Sequence, residues 1–159
     1  MKLKEFPFNI FFDSCTFHAP QEAEKEAMCG LLKFKEEGII VGIISYKVDR
    51  ELSRAPSRIA RKRVYEIYTI PLNLTEEERE IKTEIRRLLF SDRQSLKTNE
   101  MNDVDNVFEA QKYGCRYFVT LDNKHILSKG KYIKKRFHLI VVTPSECLRE
   151  IKEYIEQEE

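Results

Sequence analysis

The sequence predicts an α/β domain, a three-layer α/β/α sandwich around a mainly parallel central sheet. Short, continuous apolar runs alternate along the chain with longer segments whose apolar residues recur at helical spacing. Such continuous strands are buried on both faces, which is typical of a parallel sheet with helices packed on each side. The 159 residues suffice for one such core, so we predict a single domain over residues 1–159.

Two buried strands and two helices are predicted at the start of the chain. FNIFF forms a strand over 8–12, and a helix follows from residue 21 until Gly38 stops it. IIVGII forms the second strand over 39–44. Ser45 is then well placed to cap the helix YKVDRELSR.

The middle of the chain is predicted to form two further helices separated by a short strand. SRIARKRVYEIY has helical spacing over 57–68, and residues 69–72 follow as a short edge strand. Thr75 and Glu78 form a capping box, which begins a helix over 76–90.

The stretch NDVDNVFEAQKYGCRYFVTLD, residues 102–122, follows a polar loop over 91–100. It places an acid at the head of a helix, then a glycine turn, then an apolar strand that ends in Thr-Leu-Asp. A basic segment with short helical turns comes next. A strand over 138–142 and a last helix that begins at Thr143-Pro144 complete the alternation.

The composition indicates a globular protein with a heavily charged surface. Charged residues make up 35% of the chain, yet the net charge is only +1, so any binding of nucleic acid must come from a local patch. No run approaches the roughly 20 apolar residues that span a membrane. The four cysteines lack zinc-ligand spacing. We expect a cytoplasmic protein with reduced core cysteines and no membrane association.

Four acidic residues occupy comparable places in this predicted fold. Asp13 ends the first strand, Glu51 lies one turn into the helix after the second strand, Asp103 opens the helix after the polar loop, and Asp122 follows the strand FVTL. These places face the same edge of a parallel sheet, so the four acids can converge. Each acid alone is more often a helix cap, a solvated side chain or an ion-pair partner than a functional residue. Their joint order favours a shared site.

Converging carboxylates repel one another and stay ionised together only with a cation between them. Oxygen-only ligands favour a hard divalent ion, Mg²⁺ or Mn²⁺, whereas zinc would favour His or Cys. Such an ion lowers the pKa of a bound water, which can then attack a phosphodiester bond. The predicted chemistry is therefore metal-dependent phosphodiester hydrolysis.

Three segments resemble the PIN domain, a fold of metal-dependent nucleases that includes toxins of bacterial toxin–antitoxin pairs and RNA-processing factors. FFDSCTF resembles the family's first-strand Asp followed by a small hydroxyl residue, and IISYKVDREL its strand-Ser-helix-Glu segment. Residues 102–122 resemble its Asp, helix, Gly turn, strand and Thr-x-Asp. The resemblance covers most of the chain, although residues 54–90 match nothing specific to one subfamily.

By this register the resemblance implies four catalytic acids and two supporting residues, which are Asp13, Glu51, Asp103 and Asp122, with Ser14 and Thr120. Three of the acids would hold Mg²⁺ or Mn²⁺: Asp13, Asp103 and Asp122. Asp105 competes with Asp103 for the third position, and the spacing to Gly114 and Thr120 favours Asp103. Asn106, one turn after Asp103, would face the site in place of the His or Asp that some members carry there.

Two basic clusters flank the proposed acids, where the phosphates of a nucleic acid would need positive charge. A solvated helix face is the competing interpretation. The clusters are Arg54, Arg58, Arg61, Lys62 and Arg63 after Glu51, and Lys124, His125, Lys129 and Lys131 after Asp122. Our candidate contacts to nucleic acid are Arg54, Arg58, Arg61 and Lys124.

The leading hypothesis is an Mg²⁺- or Mn²⁺-dependent endoribonuclease, in one version the toxin of a toxin–antitoxin pair. The alternative is a catalytically inactive PIN-like module that binds RNA or a protein partner, although retention of all four acids argues against it. A haloacid-type phosphatase would need a second Asp where the chain has Cys15. RNA, an antitoxin and a second copy of the chain, as a homodimer, are the partners that the resemblance implies.

Overall fold

A computed structural model describes residues 8–53, 67–69 and 73–159. Within these ranges the chain forms five strands and six helices. The strands are β1 (Phe8–Phe12), β2 (Ile40–Ser45), β3 (Ile67–Thr69), β4 (Tyr117–Val119) and β5 (Ile140–Val142). The helices are α1 (Glu22–Glu36), α2 (Tyr46–Ser53), α3 (Glu76–Phe90), α4 (Thr98–Lys112), α5 (Gly130–Phe137) and α6 (Pro144–Glu158). The predicted α/β/α sandwich around a parallel sheet is confirmed.

β1 is the central strand of the sheet. The strand order is β3-β2-β1-β4-β5, and every neighbouring pair is parallel. Phe11 on β1 and Phe118 on β4 are fully buried, and their rings stack with centroids 5.2 Å apart. The chain leaves β1 in one direction to form β2 and β3, then returns to build β4 and β5 on the other side. This reversal creates a switch point between β1 and β4, where open α/β sheets form their ligand crevice.

The predicted helix starts at Thr75, Thr143 and Ser45 are confirmed. Thr75 Oγ1 accepts the Glu78 N–H at 3.1 Å, and the Glu78 carboxylate accepts the Thr75 N–H. Thr143 and Glu146 make the same reciprocal pair at the start of α6. Ser45 Oγ accepts from the N–H of Val48 at 3.2 Å. These bonds satisfy backbone donors that a helix start leaves without partners.

Two predicted boundaries are wrong. Ile67 and Tyr68 belong to strand β3 and not to a helix, because pairing with β2 overrides the local helical spacing. The other residues of the predicted helix over 57–66, and residues 70–72 of the predicted edge strand, lie outside the described ranges. The polar loop is also shorter than predicted, since α4 already begins at Thr98. Glu100 accounts for this early start, because its carboxylate accepts the Lys97 N–H at 3.0 Å.

The basic segment after Asp122 is more ordered than the predicted short turns. A 3₁₀ turn over Leu127–Lys129 leads into the eight-residue helix α5. Ile126 and Ile133 anchor this segment, since both are fully buried. No helix in the described parts of the chain is long and apolar enough to cross a membrane.

All four cysteines are free thiols. Cys115 and Cys147 are buried, as predicted for core residues, and Cys15 is partly buried. Cys29 is exposed, so its assignment to the core is wrong. It lies on the solvent face of α1, while Met28 and Leu31 occupy the buried face of that helix.

Gly114→Ala is expected to destabilise the fold by about 1 kcal/mol, because Gly114 ends α4 in the left-handed region at φ +66°. No atom lies within 4 Å of the position that the new Cβ would take, so the cost is one of backbone conformation alone. Gly130→Ala is the matched control, since its φ is −54° and its Cβ would make only an ordinary contact with Val141. Urea unfolding of both variants measures the difference.

Candidate acidic site

Asp13 lies directly after β1, at the switch point of the sheet. Its N–H donates to the Val119 carbonyl at 3.0 Å, which holds it beside the end of β4. The residue is 5% exposed. This burial raises the pKa of the Asp13 carboxyl to about 6, and the negative charge of Glu51 acts in the same direction.

Two side chains from neighbouring segments bond to one oxygen of Asp13. Thr120 Oγ1 donates to Asp13 Oδ2 at 2.8 Å, and Cys15 Sγ lies 3.6 Å from the same oxygen. The Leu121 N–H in turn donates to Cys15 Sγ at 3.3 Å, and the Asp122 N–H donates to Thr120 Oγ1 at 3.1 Å. Asp13 is therefore fixed in orientation relative to the segment that carries Asp122.

Glu51 is oriented by side chains from two other elements. Ser14 Oγ donates to Glu51 Oε2, and Asn102 Nδ2 donates to Oε1 at 3.3 Å. Ser14 immediately follows Asp13, so the first contact brings Glu51 on α2 to the carboxyl end of β1. The second contact links Glu51 to α4, one residue before Asp103.

Ser45 and Asn106 join β2, α2 and α4 beneath the acids. Ser45 Oγ donates to Asn106 Oδ1 at 2.7 Å. Ser45 Oγ also accepts the Val48 N–H and so caps α2. Both residues are 2% exposed. Asn106 therefore holds the helix that carries Glu51 in place, and its side-chain oxygen is already engaged by Ser45.

Asp103 is the acid most strongly affected by its surroundings. Burial, followed by the charges of Asp13, Asp122 and Glu51, raises the pKa of its carboxyl to about 8. Asp103 therefore lies within electrostatic reach of the other three predicted acids. The prediction that Asp103 opens its helix is wrong, because α4 begins at Thr98 and Asp103 lies in the second turn.

Asp105 has a different environment from Asp103, although the two lie two residues apart. Lys47 Nζ from α2 contacts its Oδ2, and Lys82 Nζ from α3 lies 2.5 Å from its Oδ1. Asp105 also lines a groove of about 580 Å³ between α3 and α4, together with Lys82 and Met101. Its charge is balanced by two lysines, and it joins three helices.

Asp122 is held by the turn that follows β4. Its Oδ1 accepts the His125 N–H at 3.0 Å, and its carbonyl accepts the Ile126 and Leu127 N–H groups. The carboxylate therefore also organises the beginning of the basic segment. The His125 ring lies against Phe90, with centroids 4.9 Å apart.

The donor set suits a hard cation, although the carboxylates do not form a closed cage. Within the described residues, no three His, Cys, Asp or Glu side chains are grouped closely enough to hold a metal ion by themselves. Mg²⁺ usually keeps several waters and is bound through one or two carboxylates, so a closed cage is not required. Burial is the main cause of the raised pKa of Asp103, and the charges of the neighbouring acids add to it. A divalent ion would relieve this second contribution.

The predicted basic contacts are only partly covered by the described ranges. Arg54, Arg58 and Arg61, with Lys62 and Arg63, lie outside them. Lys124 is exposed, two residues after Asp122.

Sequence reasoning missed two polar neighbours of the acids, Asn102 and Cys15. Asn102 directly precedes Asp103, but its reach to Glu51 depends on how α2 and α4 pack, which no local pattern shows. Cys15 is predicted as a core residue. Its position two residues after Asp13 was the available signal, since a 3₁₀ turn over Ser14–His18 brings its sulfur back to that carboxylate.

Comparison of the sequence with models of known protein families gives no match, and comparison with curated proteins gives no significant match.

Proposed function

We propose that the protein is an Mg²⁺- or Mn²⁺-dependent endoribonuclease, with the ion held by Asp13, Asp103 and Asp122. The observation that carries this proposal is the meeting of acidic segments at the carboxyl end of β1, where Ser14 contacts Glu51 and Thr120 joins Asp13 to the N–H of Asp122. In the same region burial, followed by the charges of Asp13, Asp122, Glu51 and Glu100, raises the pKa of Asp103 to about 8. Four acids brought together in this way make the protein less stable on their own. A function that requires a cation accounts for the arrangement.

The absence of basic partners at the four acids supports the same reading. Among the described residues, no Lys or Arg forms an ion pair with Asp13, Glu51, Asp103 or Asp122. Asp105, which lies on the same helix turn as Asp103, has two lysine partners, one from α2 and one from α3. The chain therefore neutralises one acid of α4 and leaves the other available to a cation.

The roles of the side chains follow from their contacts. Asp13 would be the most rigid ligand, because Thr120 and Cys15 fix its Oδ2. Glu51, aimed by Ser14 and Asn102, would orient an attacking water or the phosphate. When bound, a divalent ion supplies a Lewis acid for the phosphate oxygens and makes a water molecule more acidic.

The choice of RNA as substrate depends on the resemblance to the PIN domain in three segments. The acids alone suit a phosphodiester of either nucleic acid. Restraint by an antitoxin, a homodimer and a cytoplasmic location follow from the same resemblance and stay predictions.

The test is cleavage of end-labelled single-stranded RNA, and of DNA of the same sequence, with Mn²⁺ or with EDTA. We expect Mn²⁺-dependent cleavage of the RNA that falls by about 100-fold or more in Asp13→Asn and in Asp122→Asn. Asp92→Asn is the matched control, because Asp92 is an exposed acid on the loop after α3. Its activity should equal that of the wild type.

Failure of the folded wild type to cleave RNA with either Mn²⁺ or Mg²⁺ would contradict the proposal. Tight retention of RNA without cleavage would instead support the inactive binding module. Cleavage that survives both Asp13→Asn and Asp122→Asn would place the activity elsewhere.

A further inference from the structure

The segment between Asp122 and Glu146 has an extreme charge. Residues 123–145 contain six Lys or Arg side chains and no Asp or Glu. The whole chain has a net charge of only +1, so the rest of the protein is net negative. Positive charge is therefore concentrated on the segment that follows the last acid of the proposed site.

Five of these six cations have no acidic partner among the described residues. Arg136 pairs with Glu84 on α3, with its Nε 2.7 Å from Oε1. In the described portion of the chain, no Asp or Glu forms an ion pair with the other five, which are Lys124, Lys129, Lys131, Lys134 and Lys135. We call these five lysines, together with Tyr132, the α5 basic surface.

Helix stability accounts for only part of this charge. Lys134 and Lys135 lie in the last turn of α5, where cations interact favourably with the helix dipole. Lys129 and Lys131 lie at its first turn, where the same dipole disfavours them. Lys131 and Lys135 are also like charges at i and i+4, a spacing that destabilises an isolated helix. An anion bound to these lysines would offset both the unfavourable interaction with the helix dipole and the repulsion between Lys131 and Lys135.

One aromatic ring projects from the middle of the surface. Tyr132 is 59% exposed, the highest value among the large hydrophobic side chains of the described residues, while the adjacent Ile133 is fully buried. Lys131 and Lys135 are exposed on the same side of α5. Proteins that bind single-stranded nucleic acid combine exposed aromatic rings, on which the bases stack, with cations that contact the phosphates. Tyr132 and the neighbouring lysines provide both.

The surface continues directly from the acidic site. The Asp122 carboxylate accepts the His125 N–H, and the Asp122 carbonyl accepts the Leu127 N–H at 2.8 Å. The turn that begins the basic segment is thus built on a proposed metal ligand.

We infer that the α5 basic surface binds the phosphates of single-stranded RNA, with one base stacked on Tyr132, and so places the strand at the acids. This inference rests on the proposed function and names the surface that carries its substrate. An acidic protein partner would use the lysines without the stacking, so the test separates the two.

The direct probe is Tyr132→Trp, because the chain contains no tryptophan and the new indole would be its only one. In EDTA, where no metal supports cleavage, we expect titration with a single-stranded RNA oligonucleotide to quench and shift its fluorescence. Polyglutamate and heparin, which lack bases, should produce neither effect. A fluorescence signal that does not respond to RNA would overturn the stacking.

The charge test compares two double variants of equal charge change. Lys131→Glu with Lys135→Glu should weaken RNA binding in EDTA by at least about tenfold and reduce the salt slope of log K by about 1.4, since two phosphate contacts are lost. Lys33→Glu with Lys152→Glu is the control, because both lysines are exposed on α1 and α6. It should bind like the wild type. Equal RNA affinity of the two double variants would contradict the inference.

Binding in EDTA and cleavage with Mn²⁺ separate this inference from the proposed function. If the wild type binds RNA through α5 but never cleaves it, the binding surface is supported and the proposed nuclease activity is contradicted. A wild type that cleaves, and whose binding is insensitive to the α5 substitutions, would refute the surface alone. Lys131→Gln with Lys135→Gln repeats the test without introducing acids, and circular dichroism checks that each variant is folded.

Discussion

Asp103→Asn is expected to abolish RNA cleavage and at the same time stabilise the metal-free protein. Removing this carboxylate removes its repulsion with Asp13, Glu51 and Asp122, which together with burial raises its pKa to about 8. Allowing for partial solvent screening, we expect a gain of about 2 kcal/mol in the free energy of unfolding at pH 8.5. Loss of the proposed ligand should lower cleavage by about 100-fold or more.

Asp105→Asn is the matched control and should behave in the opposite way. The substitution leaves Lys47 and Lys82 without their shared carboxylate, so we expect a loss of about 2 kcal/mol in stability. Cleavage should persist, because Asp105 lies outside the acidic site.

Chemical unfolding and an RNA cleavage assay on both variants decide between the two acids. The account predicts that activity and stability change in opposite directions for Asp103→Asn. Loss of cleavage in Asp105→Asn, with activity retained in Asp103→Asn, would show that the third acid was assigned to the wrong residue.

The metal-free protein should lose stability as the pH rises from 5.5 to 8.5. The folded protein holds its protons on Asp13 up to about pH 6 and on Asp103 up to about pH 8, whereas the unfolded chain releases both near pH 4. A carboxyl whose pKa is raised on folding stabilises the protein at low pH, and this contribution is lost as the pH rises through the folded value. We expect the melting temperature in EDTA to fall by about 5 °C or more over this range.

Thermal unfolding in EDTA and in Mn²⁺ measures this effect. Mn²⁺ should raise the melting temperature much more at pH 8.5 than at pH 5.5, because the metal requires deprotonated ligands. Asp103→Asn should flatten the pH dependence in EDTA. A melting temperature that is constant, or that rises, between pH 5.5 and 8.5 in EDTA would show that the acids do not repel one another as described.

The fold was largely readable from the sequence because its signals are local. FNIFF is a short, mostly apolar run that predicts a buried strand, and it forms β1 at the centre of the sheet. Thr75 and Thr143 are each followed three residues later by a glutamate, the capping-box pattern that predicts a helix start. Such signals lie within a few residues and need no knowledge of packing.

One error arose where a distant contact decides the structure. Ile67 and Tyr68 have helical spacing, but they pair with strand β2, which no local pattern shows. The start of α4 was missed although its contacts are local. Glu100 accepts the Lys97 N–H and pairs with Arg93, but lysine is not among the residues that usually precede a helix.

The acidic site shows the same limit more sharply. Asp103 and Asp105 share one helical turn, and spacing alone could only favour the first. Their difference comes from Lys47 and Lys82, which lie 58 and 23 positions away from Asp105 in the sequence and reach it only through the packing of α2 and α3 against α4. The role of Asn102 at Glu51 is hidden for the same reason.

The central claim is that Asp13, Asp103 and Asp122 share one divalent ion, and a crystal structure of the wild type soaked in Mn²⁺ tests it most directly. We expect one anomalous difference peak at the carboxyl ends of β1 and β4, bound to the carboxylates of these residues directly or through water molecules, and lost in Asp103→Asn. Mn²⁺ bound only at other surface acids, or a cluster that stays empty at saturating Mn²⁺, would contradict it.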